Sequence, residues 1–140
     1  MRLVLDTDVI VAAMRSPTGG AAALLRLLDR GLGTLLLSVA LAIEYDATCQ
    51  LAEHRLAAGL DEAEVGLFLD AIVDIAEPVE TYFRWRPQLH DPGDEMVLET
   101  AVNGRAQALV TFNRRDYGAA PARFGIDVLN PGEAIRRMQA

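Results

Sequence analysis

Four short, unbroken aliphatic runs limit what this chain can fold into. Leu3 to Leu5, Thr34 to Leu37, Ala108 to Thr111 and Asp127 to Leu129 show no polar alternation, so each reads as a strand covered on both faces. Helical patterns lie between them. Asp8 to Met14 and Ala21 to Asp29 follow the first run, separated by the loop Ser16-Pro17-Thr18-Gly19-Gly20. Ser38 caps a third helix expected to run to about Ala57, and Asp61, with Glu64 three residues on, opens a fourth that reaches Ile75. Glu77 to Gln88, with Pro78 and Pro87, reads as extended chain. Asp91-Pro92-Gly93-Asp94 starts a fifth helix, Asn103-Gly104 stops it, and Pro131 begins the last. Strands alternating with helices give an α/β domain with a mainly parallel central sheet and helices on both faces. Without repeats or a linker, residues 1–140 read as one domain.

The sheet type also says where to look for chemistry. Ligands gather beyond the carboxyl ends of parallel strands. Asp6 closes the first run, and Asn113 and Asp116 follow the third. Glu44 shares a helix face with Ala40, Leu41, Ala47 and Thr48, and Asp94 shares one with Val97, Leu98 and Ala101, so both acids are expected to face apolar surroundings. A buried carboxylate is costly unless it is paired, protonated or bound to a metal.

Composition narrows the choice of partner. All 13 basic residues are arginine, which removes the lysine that phosphate-loop NTPases, Schiff-base enzymes, receiver domains and most aspartyl-phosphate phosphatases use. With no lysine, and with arginines mostly in polar segments, a divalent cation is the simplest partner for converging acids; oxygen ligands select hard ions such as Mg²⁺ or Mn²⁺. Each acid also has an ordinary reading: an arginine partner for Glu44, a place in a capping box begun by Asp91 for Asp94, turn or cap roles for Asp6 and Asp8, and a turn for Asp116. Their joint occurrence at strand ends and on apolar helix faces favours a site. The 20 acids and net charge of −7 oppose binding nucleic acid by general electrostatics. Cys49 reads as a small buried residue, and carboxylates in the first eight residues interrupt any signal-peptide pattern. No apolar run is long enough for a membrane span, and the cytoplasm is the expected compartment.

Leu3-Val4-Leu5-Asp6-Thr7-Asp8-Val9, Ser38 with Glu44 six residues on, Asp91-Pro92-Gly93-Asp94-Glu95, and Leu109-Val110-Thr111-Phe112-Asn113-Arg114-Arg115-Asp116-Tyr117 together resemble the PIN domains. The likeness is closest to the toxin-like PIN proteins of prokaryotic toxin–antitoxin systems, of which VapC is the familiar example. It covers nearly the whole chain and implies a three-layer α/β/α domain. It also implies a metal-dependent endoribonuclease whose catalytic and metal-binding acids are Asp6, Glu44, Asp94 and Asp116. Asp8 stands where Asn is more usual, His90 where Arg is common, and the fourth acid varies in the family, which sets Asn113 against Asp116.

The resemblance implies Mg²⁺ or Mn²⁺, an RNA substrate, a cognate antitoxin and a homodimer. Thr7, Asp8, Thr111 and Asn113 are candidate supporting residues; Arg15, Arg114 and Arg115 are candidate RNA contacts, while the Arg84-Trp85-Arg86 segment better suits a subunit or partner contact. His54 and His90 read as surface or packing residues. Two rivals remain. Asp6 and Asp8 also fit the Asp-x-Asp-x-Val motif of haloacid-dehalogenase-like phosphatases, as nucleophile and acid/base. A PIN fold that has lost catalysis and serves only as a binding module is the other.

Overall fold

A computed structural model describes residues 1–82, 89 and 91–140 of the chain; the readings at Phe83, Arg84-Trp85-Arg86, Pro87, Gln88 and His90 lie outside the described residues. Five strands form one parallel sheet: β1 (Arg2–Leu5), β2 (Thr34–Leu37), β3 (Glu77–Pro78), β4 (Ala108–Val110) and β5 (Asp127–Leu129), in the order β3-β2-β1-β4-β5. The helices are α1 (Thr7–Arg15), α2 (Gly20–Asp29), α3 (Val39–Cys49), α4 (Ala52–Ala58), α5 (Glu62–Ile75), α6 (Pro92–Asn103), α7 (Ala120–Arg123) and α8 (Pro131–Gln139), with a 3₁₀ turn at Arg114–Asp116.

The unbroken aliphatic runs occupy the middle of this sheet. Leu3, Val4, Leu5, Ala108, Leu109 and Val110 are completely buried, with Leu3 opposite Ala108 and Leu5 opposite Val110. Helix α6 packs on β1, β2 and β4 and on α3, whose Tyr45 hydroxyl donates to Leu5 O, while α1 packs on α2 and α2 on α8. The α/β architecture read from the sequence is therefore the one observed.

The connections place the site. From β1 the chain moves outward through β2 to β3, then crosses to the other side of β1 for β4 and β5. The direction of winding reverses between β1 and β4, and a crevice opens beyond their carboxyl ends at such a switch point.

One helix boundary and one helix cap differ from expectation. The third helix does not continue to Ala57; it stops at Cys49, and Leu51, in an extended conformation, turns the chain into the separate helix α4. Its sequence is apolar on too many sides to reveal that corner. Helix α6 ends at Asn103 as expected, yet Gly104 keeps a right-handed conformation and Arg105 takes the positive φ of 55°. Gly104 is needed for space: a Cβ there would lie 2.9 Å from Thr100 O and 2.9 Å from Val79 Cγ2.

Candidate functional site

Asp6 follows the last residue of β1, where its backbone N–H still donates to Val110 O of β4 at 2.8 Å. The chain then enters α1, so the Asp6 side chain leaves the sheet at the crevice. It is 7% exposed. Thr111 continues β4, with its N–H bonded to Leu129 O at 2.9 Å, and is fully buried. The Thr111 hydroxyl donates to Asp6 Oδ2 at 2.7 Å and accepts from Asn113 N at 2.9 Å. Thr111 is thereby committed to orienting Asp6 rather than to touching a phosphate.

Of the two readings of Asp8, helix cap and supporting residue, the cap is not the one observed. Asp8 lies inside the first turn of α1 and reaches across to the loop after β4, where its Oδ2 accepts from Phe112 N at 3.1 Å and from Asn113 Nδ2 at 2.8 Å. The Thr111 hydroxyl stands 3.4 Å from the same oxygen, farther than from Asp6. Asp8 is thus a clasp between α1 and the β4 loop. Its other oxygen, Oδ1, is shut off from solvent without a hydrogen-bond partner among the described residues.

Two further helices bring in the remaining acids. Ser38 caps α3, accepting from Leu41 N at 3.2 Å, and its hydroxyl lies 2.7 Å from Thr100 Oγ1 on α6. That buried bond ties together the helices that carry Glu44 and Asp94. Asp91 caps α6, accepting from Gly93 N at 2.7 Å and Asp94 N at 3.4 Å, which leaves the Asp94 carboxylate within electrostatic reach of Asp6 and Asp116. Glu44 is not core-facing as its neighbours suggested: Ala40 and Ala47 are exposed, and Glu44 is half-buried at the cleft, where Thr48 Oγ1 donates to its Oε1 at 3.3 Å. A Cβ at Gly93 would sit 3.5 Å from the same Glu44 oxygen, so α3 and α6 approach closely here.

Asp6, Asp8, Glu44 and Asp94 line one cleft of about 310 Å³, together with Thr7 and His54. Asp116 and Asn113 stand beside it, lining a neighbouring hollow with Thr111 and Arg115. Asn113 spends its amide on Asp8, whereas the charge of Asp116 acts on both Asp6 and Asp94, which favours Asp116 as the fourth acid.

The electrostatics are those of acids without a counter-charge. Among the described residues no arginine forms an ion pair with Asp6, Asp8, Glu44, Asp94 or Asp116. Burial, then the Asp6 charge, pushes Asp8 up to about 6; burial, then Asp6, Asp91 and Asp116, pushes Asp94 up to about 7. Asp6 is also raised, by burial first, against the pull of Thr111, Tyr117 and the Thr7 N–H. Tyr117 is a residue the sequence reading passed over. It is 1% exposed, its hydroxyl has no hydrogen-bond partner of good geometry among the described residues, and burial beside Asp6 and Asp94 raises its pKa. The only signal was a tyrosine directly after Asp116.

The donor set suits a hard divalent ion: all oxygen, mostly carboxylate, with buried orphan oxygens on Asp8 and Tyr117. Among the described residues the acids ring the cleft without three of them already closing on one point.

Comparison with known proteins bears on the fold that carries this cleft. The PIN domain family model matches residues 2–115. The chain belongs to the PIN domain family. Asp116 lies one residue past the match, so its place rests on the geometry above. A crystal structure of VapBC2 from Rickettsia felis, bound to a DNA fragment from their promoter, contains a chain with the same fold at a TM-score of 0.64. The two are 16% identical, and the likeness covers 93% of this chain and 98% of that one. No curated protein matches the sequence significantly.

Of the sequence-derived residues, Asp6, Thr7, Asp8, Glu44 and Asp94 share the cleft, with Thr111, Asn113 and Asp116 at its side. Arg114 and Arg115 both line the hollow beside Asp116, Arg114 in an ion pair with Glu133.

Proposed function

We propose that this PIN domain is a metal-dependent endoribonuclease, the toxin of a toxin–antitoxin pair, acting in the cytoplasm with residues 1–140 as one catalytic unit. The observation that carries this reading is the gathering of Asp6, Glu44 and Asp94 around one cleft at the β1/β4 switch point, with no cationic side chain balancing them among the described residues. Asp6, Glu44, Asp94 and Asp116 would hold Mg²⁺ or Mn²⁺. When bound, such an ion activates water for attack at phosphorus and stabilises the departing oxygen.

The chain's own groups prepare that chemistry. The Thr111 hydroxyl fixes one Asp6 oxygen, and the Thr48 hydroxyl holds one oxygen of Glu44. The Asp8 clasp holds the β4 loop against α1, which keeps Asp116 beside Asp6 and Asp94. Raised carboxyl groups show that the cleft favours neutralisation of its charge, and a cation supplies that in place of protons.

An antitoxin is the expected protein partner, since the Rickettsia felis structure of the same fold is a VapBC complex. A homodimer is the expected assembly; Val39 and Ile43 on α3, 77% and 64% exposed, offer apolar surface to a second copy. The test incubates the purified protein with single-stranded and structured RNA in Mg²⁺, Mn²⁺ or EDTA, beside Asp6→Asn and Asp94→Asn. Cleavage is expected only with metal and only in the wild type; cleavage that survives EDTA or either substitution sinks the reading. A folded protein that binds metal and never cleaves would instead be a binding module. The phosphatase reading is weakened because Asp8 Oδ2 is taken up by Phe112 N and Asn113 Nδ2. It predicts turnover of a small phosphate ester dependent on Asp8 and indifferent to Glu44.

A further inference from the structure

One wall of the cleft is not acidic. The His54 ring, on α4, lines the same cleft as Asp6, Glu44 and Asp94, with its side chain 17% exposed. Its Nδ1 lies 3.3 Å from Nη1 of Arg15, in the last turn of α1. A guanidinium has donors only, so Nδ1 accepts and the ring proton sits on Nε2, 3.6 Å from Glu53 Oε1.

Four of the arginines are matched to acids. Arg2 pairs with Glu77, Arg55 with Glu62, Arg114 with Glu133 and Arg137 with Asp127. Arg15 instead donates to an imidazole, and no ion pair neutralises it among the described residues. It is exposed, it touches the histidine that lines the acidic cleft, and the carboxyl end of α1 favours a cation there. Among the described residues one of its N–H donors is used, and the planar guanidinium fork suits phosphate oxygens.

We infer that Arg15, steered to the cleft mouth by His54, binds a phosphate of single-stranded RNA adjacent to the one that is cut. The inference rests on the nuclease reading above and adds to it. A polyanion entering a cleft lined by acids meets repulsion at each phosphate the metal does not contact, and a fixed cation at the rim offsets it for the neighbouring phosphate. His54 is then a positioning residue. Its hydrogen bond takes up one edge of the guanidinium and directs the rest.

The experiment measures binding of a short single-stranded RNA, in Mg²⁺ and across a range of salt, by fluorescence anisotropy. It compares an Asp94→Asn parent with the same protein carrying Arg15→Gln or Arg15→Lys. Arg15→Gln is expected to weaken binding about tenfold and to lower the slope of log affinity against log salt by about 0.7, the value for one phosphate contact on a single strand. Arg15→Lys should restore most of the slope and less of the affinity. The melting temperature should stay that of the Asp94→Asn parent. Unaltered affinity and slope in Arg15→Gln overturn the inference, as does weaker binding with an unaltered slope, which a merely structural staple between α1 and α4 would give. Wild-type cleavage of the same RNA separates the two failures. Cleavage with an inert Arg15 sinks this inference alone; no cleavage removes the nuclease reading and this one with it.

Discussion

The two ends of the sheet carry the same residue types and use them in opposite ways. At the amino ends of the strands, each acid finds an arginine: Glu77 at the start of β3 meets Arg2 Nη2 at 2.6 Å, and Asp127 at the start of β5 meets Arg137 Nη1 at 2.8 Å. Arg2 also caps the end of α6 through Gly104 O at 2.8 Å, and its hydrogen bond lowers the Glu77 pKa. At the carboxyl ends, Asp6, Asp8, Asp94 and Asp116 act on one another, and buried oxygens on Asp8 and Tyr117 lack hydrogen-bond partners of good geometry among the described residues. One end is electrostatically complete, and the other is built to receive a charge it does not possess. Unbalanced charge in a low-dielectric crevice is costly to folding and marks a place kept for binding.

The contrast is broken most directly by neutralising one acid at each end. Asp94→Asn should reduce RNA cleavage at least about 100-fold, as loss of a group that stabilises the transition state does, while raising the metal-free melting temperature because a repelling charge is gone. Gel assays and thermal melts read the two effects; a lower melting temperature would show that Asp94 is paired like Glu77. Next in size is the metal effect. Mn²⁺ at 100 times its dissociation constant should stabilise the wild type by about 2.7 kcal/mol, EDTA should reverse this, and Asp94→Asn should lose most of it.

The pH dependence sharpens the comparison further. Asp8 and Asp94 have folded pKa values raised to about 6 and about 7, so between pH 4 and 7 the folded state holds protons that the unfolded state has released. Metal-free stability should therefore fall as pH rises through that window, and saturating Mg²⁺ should flatten the fall. Glu77 has the opposite sign: its lowered pKa gives a contribution present above its unfolded pKa and lost as pH falls through its folded one. Melting curves in EDTA and in Mg²⁺ at several pH values check both. The smallest effect is expected at the completed end. Arg2→Ala should lower the melting temperature by no more than about 5 °C and leave the cleavage rate unchanged; slower cleavage would show that the two ends are coupled.

Local sequence made much of this legible. The aliphatic runs gave strand positions to within a residue, because a strand buried on both faces leaves a pattern that helices of this length do not. Asp6 and Asp94 were identifiable because each interrupts an otherwise apolar setting. Glu44 was found for a reason the structure corrects. Helix α3 is apolar almost all round, so its buried face, Leu41, Tyr45 and Cys49, was indistinguishable from the exposed Val39 and Ile43, and the corner at Leu51 was hidden for the same reason. The Asp8 clasp and the Tyr117 hydroxyl were invisible, since the clasp joins residues over a hundred positions apart and Tyr117 meets acids from two other elements.

The sequence by itself determined the alternation of strands and helices, the absence of lysine, and acids at strand and helix ends, because these depend on local periodicity and composition. Only the tertiary structure decided that these acids meet one another rather than arginines. Which charges face one crevice depends on strand order, and the reversal of winding between β1 and β4 brings Asp6, Glu44 and Asp94 together while sending Arg2 and Arg137 to the opposite edge. It also decided that Arg15 meets His54 at the rim of that crevice, an encounter set by the packing of α4 on α1.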